Sequence, residues 1–149
     1  MRIATILAPI DFSETSMQAL DYAVDLAAKV GATVKVVHVY QIPLYSFPDG
    51  VIVAPAELAA ELSDKAQKNL DTTVAARKNR GVEISGLLVS GVSWEEISDL
   101  ASKSQADLIV MGTHGRHGIQ RALLGSVAEK VIRSSTVPVL VVHGPRGAA

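Results

Sequence analysis

A chain of 149 residues with 48% hydrophobic and 19% charged residues is long enough for one domain with a real core, and too apolar to be disordered. Fourteen Lys and Arg stand against 15 Asp and Glu, a formal net charge of -1, so the basic excess of a protein that grips nucleic-acid backbone is absent. The chain has no cysteine, which excludes disulfides, thiolate zinc sites and cysteine nucleophiles together and fits a reducing cytoplasm.

The run Ile3 to Ile10 is short and nearly all apolar, the pattern of a strand buried on both faces. Pro9 and Asp11 close it far short of the ~20 apolar residues a membrane helix needs. Ser13 is a good N-cap, and Glu14 sits where a helix dipole favours an anion. Met17, Leu20, Val24 and Ala27 then mark one face of a helix that Gly31 ends. Thr33 to Val39 is the second strand. Tyr40 to Pro55, with Pro43, Pro48, Gly50 and Pro55, reads as a long loop.

Leu58, Leu62, Ala66, Leu70 and Val74 form the stripe of a second helix, closed by Gly81. Val82, Ile84, Gly86 and Leu88 alternate as a third strand. Ser93 and Glu96 fit a capping box, ahead of a helix buried through Ile97, Leu100 and Ala101. Leu108 to Met111 is the fourth strand. A Gly-rich loop from Gly112 to Gly125 follows, and Ser126 is expected to cap a last helix whose buried side is Val127 and Val131, with Ile132 a further candidate. Val137 to Val142 is the fifth strand, and Gly144 to Ala149 is expected to be a flexible tail.

Five strands alternating with four helices call for one α/β domain over residues 1–149. Its expected core is a doubly wound, Rossmann-like parallel sheet with helices on both faces, the first and fourth strands central, in the order 3-2-1-4-5. In such a sheet ligands bind beyond the strand C-termini, where the order reverses. Pro9-Ile10-Asp11, Val39-Tyr40 and the loop after Met111 all arrive there. That loop offers glycine amides, Arg116 and Arg121, and the start of a helix at Ser126, which together are the physics of a phosphate cradle. A plain Gly-rich turn has the same composition. A P-loop is absent, since Val92 stands where its lysine must be, and no G-x-G-x-x-G follows the first strand.

Gly112-x-x-Gly115, nine residues, then Gly125-Ser126 resembles the signature of ATP-binding universal stress proteins. Ile6 to Ser13, Val37-His38-Val39, Ala106 to Gly112, Leu124 to Val131 and Pro138 to Val142 resemble other segments of that family in the same order. The resemblance implies an ATP-binding stress-response or signalling protein, with any magnesium carried on the phosphates. It places Asp11 beside the ribose and the backbone of Val39 at the adenine edge. Gly112, Gly115, Gly125 and Ser126 would wrap ribose and phosphates, with the amide of Val127. Pro9, Ile10 and Met111 would line the pocket, with His114 and Arg116 nearby.

Other chemistry finds less support. His114 and His117 have the spacing of a metal pair but no acidic partner in sequence. No G-x-S-x-G elbow is present. His38 reads as a hydrogen-bonded core residue and Trp94 as core cover. Asp11 could equally cap the first helix. A slow ATPase or phosphotransferase in the same pocket is the competing reading, although no base is evident; an empty scaffold domain fits the intact glycine spacing poorly. The fifth strand, apolar and unguarded by Lys or Glu, is expected to pair with itself in a homodimer. A nucleic-acid or membrane partner is not expected, and the expected location is the cytoplasm.

Overall fold

The computed structural model describes residues 2–113 and 124–144. Its strands are β1 (Thr5–Ile10), β2 (Thr33–Tyr40), β3 (Leu44–Phe47), β4 (Gly50–Val53), β5 (Ile84–Ser90), β6 (Leu108–Gly112) and β7 (Val139–Val142). The helices are α1 (Glu14–Val30), α2 (Ala56–Ala75), α3 (Ser93–Lys103) and α4 (Ser126–Ser134), with a 3-10 turn at Lys78–Arg80.

Five strands form a parallel sheet in the order β5-β2-β1-β6-β7, which is the expected 3-2-1-4-5 arrangement. Side chains alternate across it and build two cores. Ile6, Ala8, Ile10, Val34, Val36 and Val110 pack against Leu20 and Val24 of α1 and Leu70 and Val74 of α2. Leu7, Val37, Ile109 and Met111 pack against Ile97 and Ala101 of α3 and Ala128 and Val131 of α4. Gly86 belongs to the first of these packings. A Cβ there would stand 3.0 Å from Leu70 Cγ, so this glycine serves close helix-on-strand contact.

Several local expectations hold. Ser13 caps α1 and accepts from the Ser16 amide, and Gly31 ends the helix in the left-handed region at φ 73°. Others need correction. Residues 40–55 are no plain loop, because the β-rich tetrads Leu44–Phe47 and Gly50–Val53 pair as an antiparallel hairpin across Pro48-Asp49. The α3 capping box does not form. Val92 is the N-cap, Ser93 is already helical, and the Glu96 carboxylate lies against Gly91. Likewise Gly125, not Ser126, is the N-cap of α4 and brings no capping side chain of its own, and the helix is buried through Ala128 and Val131 while Val127 is exposed.

Candidate functional site

The strand order reverses beside β1. From β1 the chain runs outward through β2 to β5, then crosses back to β6 and on to β7. Connections leaving β1 and β6 therefore part to opposite faces, which opens a crevice at the strand C-termini. The segments 10–13, 39–40, 111–113 and 124–127 end there.

Asp11 leaves β1 and is drawn into the start of α1. Its Oδ1 accepts from the Ser13 amide at 3.0 Å and from the Ser13 hydroxyl, while its own amide donates to Ser16 Oγ at 3.3 Å. Asp11 therefore holds Ser13, the residue that caps α1. Phe12 follows at φ 64°, a left-handed conformation that a bulky residue rarely adopts. Such conformations cluster at functional sites, where surrounding contacts hold them. Here the Phe12 ring packs on His38 with centroids 4.5 Å apart. His38 Nδ1 lies 2.8 Å from the Ile10 carbonyl oxygen, so Nδ1 carries the proton and donates. The expected hydrogen-bonded role for His38 stands, and it braces the turn.

Alternation sorts the pocket-lining candidates. Pro9, Val39 and Met111 point to the α3 and α4 face of the sheet, beside the start of α4. The Ile10 side chain points the other way, into the core under α1, so only its backbone reaches the crevice. Gly112 has a steric role as well. A Cβ there would stand 2.9 Å from Thr15 Cγ2 and 3.1 Å from the Thr15 carbonyl carbon, so only glycine lets β6 end this close to α1.

The two ends of the Gly-rich loop are tied together. The Gly125 amide donates to the Thr113 carbonyl at 2.6 Å, and the buried Thr113 donates to Val142 at 3.0 Å. The first bond within α4 runs from the Glu129 amide to the Gly125 carbonyl at 2.9 Å. Helix geometry then leaves the amides of Ser126, Val127 and Ala128 without an intrahelical acceptor. They form the positive end of α4, set beside the end of β6. His114, Gly115, Arg116, His117 and Arg121 lie outside the described residues.

Residues 3–143 match the universal stress protein family. Universal stress protein MJ0531 of Methanocaldococcus jannaschii is 38% identical over 143 residues, covering 95% of this chain and 82% of that protein. This chain belongs to the universal stress protein family. The solved structure of universal stress protein MJ0577 from the same organism superposes with a TM-score of 0.83 at 28% identity, covering 99% of this chain and 100% of that one. A universal stress protein in complex with cAMP matches with a TM-score of 0.71 at 28% identity, over 96% of this chain and 98% of its own. The Archaeoglobus fulgidus family member in complex with dAMP gives 0.68 at 25% identity, over 95% and 99%.

For a universal stress protein, the sequence singled out these strand ends and missed two features of them. One is the left-handed Phe12, which no residue preference announces. The other is the bond between Thr113 and Gly125, twelve positions apart, which needs the folded sheet to exist.

Proposed function

We propose that this chain binds ATP in the crevice between β1 and β6 and acts as a cytoplasmic stress-response or signalling protein, not as an efficient enzyme. The observation that supports it most is the N-terminus of α4, opened by Gly125 and held at the end of β6 by the Gly125 to Thr113 bond. A helix N-terminus beside a strand end attracts phosphate through its amides and dipole. Family relatives solved with cAMP and dAMP add an adenine nucleotide to that argument.

In this reading Asp11 meets the ribose, the Val39 backbone meets the adenine edge, and Pro9, Met111 and the backbone of Ile10 wall the base. Gly112, Gly115, Gly125, Ser126 and Val127 hold ribose and phosphates, with His114 and Arg116 beside them. Magnesium travels on the phosphates. The copies pair through β7, which is an edge of the sheet.

Calorimetry with ATP, ADP, AMP and cAMP tests the reading, with ATP expected to bind tightest. Gly125→Val is expected to remove binding. Gly125 sits at φ -73°, ψ 156°, which valine adopts freely, so the loss would report blocked space and not a strained backbone. Unchanged ATP affinity in Gly125→Val would refute the phosphate site, and multiple turnovers by the wild type would make the protein an enzyme.

A further inference from the structure

The hairpin β3–β4 is apolar on both faces. Its register puts Leu44, Val51 and Val53 on one face with Ser46, and Tyr45, Phe47 and Ile52 on the other with Gly50. All six apolar residues are between 51% and 65% exposed, so neither face is buried against the described residues. A two-stranded hairpin with no covered face is marginal in water. The helix that follows repeats the pattern. The stripe of α2 is buried from Ala66 onward, through Leu70 and Val74, but Leu58 at its start is 36% exposed. Residues 56–65 of α2 include no buried residue. Hairpin and helix start therefore form one apolar arm that runs past the sheet.

Charge and size select what covers it. Between Val39 and Ala56 the only charged residue is Asp49, at the hairpin turn. The hairpin has no cation for nucleic-acid or anionic lipid phosphates, and the helix start carries Glu57, Glu61 and Asp64 against Lys65 alone. Membrane entry would drive the Asp49 carboxylate into hydrocarbon first. An apolar surface depleted of charge has the composition of a homodimer contact. The six side chains expose on the order of 600 Å² per copy, so two copies together reach the roughly 1,200 Å² at which specific interfaces begin.

We propose that Leu44–Val53 and the first turns of α2 are a self-association arm, covered by the same arm of a second copy of this chain about a two-fold axis. An isologous contact requires only that one surface be present twice. Two apolar faces then have two uses, one against the partner's hairpin and one against the partner's Leu58 and Leu62. This contact is separate from the β7 edge, because the arm leaves from β2 on the other side of the sheet. It is also independent of any nucleotide.

Light scattering and sedimentation at tens of micromolar test it on four proteins: the wild type, Phe47→Asp with Val51→Lys, Val141→Pro at the β7 edge, and all three together. Phe47 and Val51 lie on opposite faces of the hairpin and are exposed, so the circular dichroism spectrum should not change. The arm variant is expected to halve the particle mass, and Val141→Pro alone is expected to remain associated. In the unmodified chain, amide exchange across residues 44–53 should slow as protein concentration rises. A mass unmoved by the arm substitutions, or exchange independent of concentration, would overturn the proposal. A wild-type monomer that floats with phosphatidylcholine vesicles and loses that binding in the arm variant would overturn it in favour of lipid.

Discussion

Asp11 and Gly112 each carry a packing role that can be separated from ligand binding. The Asp11 carboxylate bonds Ser13 at the start of α1, so Asp11→Ala should lower stability by about 1 kcal/mol, as a lost cap does. A ribose contact as well would cost ATP affinity more than tenfold. Melting and calorimetry on the same variant distinguish the two, and reduced melting with full ATP affinity would leave the carboxylate only a cap. Gly112→Ala pushes a methyl group against Thr15, with backbone atoms at 3.1 Å that cannot rotate away. Overpacking of this kind costs about 1–3 kcal/mol, which urea denaturation should read as a lower midpoint at constant slope.

Between elements, the fold is tied by charges far apart in sequence. Arg77 at the end of α2 makes two bonds to Asp21 of α1, at 2.9 and 3.2 Å, and a third to the Thr73 carbonyl at 3.0 Å. Arg80 adds Asp21 and Asp25. At the N-terminal end of the sheet, Asp107 accepts from the amides of Ala4 and Thr5 at 2.8 and 3.0 Å. Those backbone bonds hold its carboxyl below the usual 3.8. A lowered folded-state value means the unfolded chain takes up the proton first as pH falls. The stabilisation is thus complete above the ordinary carboxylate range and is lost as pH drops through the lowered value. Asp107→Asn should therefore narrow the difference between urea midpoints at neutral pH and at pH about 3. An unchanged difference would show that Asp107 contributes nothing to acid sensitivity.

On the scale of the whole molecule, one sheet separates two cores and leaves two edges. At the β7 edge the carbonyls of Pro138 and Val142 accept from Ile109 and Thr113. By alternation, Val139 and Val141 turn their amides and carbonyls to the open side. The side chains of Leu140 and Val142 pack on the core under α1, so a charge there would attack the fold before the interface. Val141→Pro removes one outward amide and leaves the ladder to β6 intact, the one arrangement in which a sheet tolerates proline. It is expected to abolish pairing through β7 while ATP binding persists. A particle mass by light scattering that is identical with and without the proline, in protein that also lacks the arm contact, would rule that pairing out.

The alternation of short apolar runs with 3.6-residue stripes determined the element order from sequence alone, because buried parallel strands and amphipathic helices obey different periods. The Ser13 cap and the Gly31 stop were equally local, each resting on a few adjacent residues. The family and the strand order were legible in the glycine spacing and the order of the matching segments. Other features depended on distance in space. The hairpin was hidden because its prolines and glycine look like loop, and only pairing across Pro48-Asp49 shows otherwise. The caps of α3 and α4 moved by one residue, since the entering backbone and not the best capping side chain sets where a helix begins. Gly112 against Thr15, Arg77 against Asp21 and the left-handed Phe12 over His38 are contacts between segments that meet only once the sheet has assembled. Periodicity reports which face of an element is apolar; which neighbour covers that face, or whether any does, is decided by the packing of the whole chain.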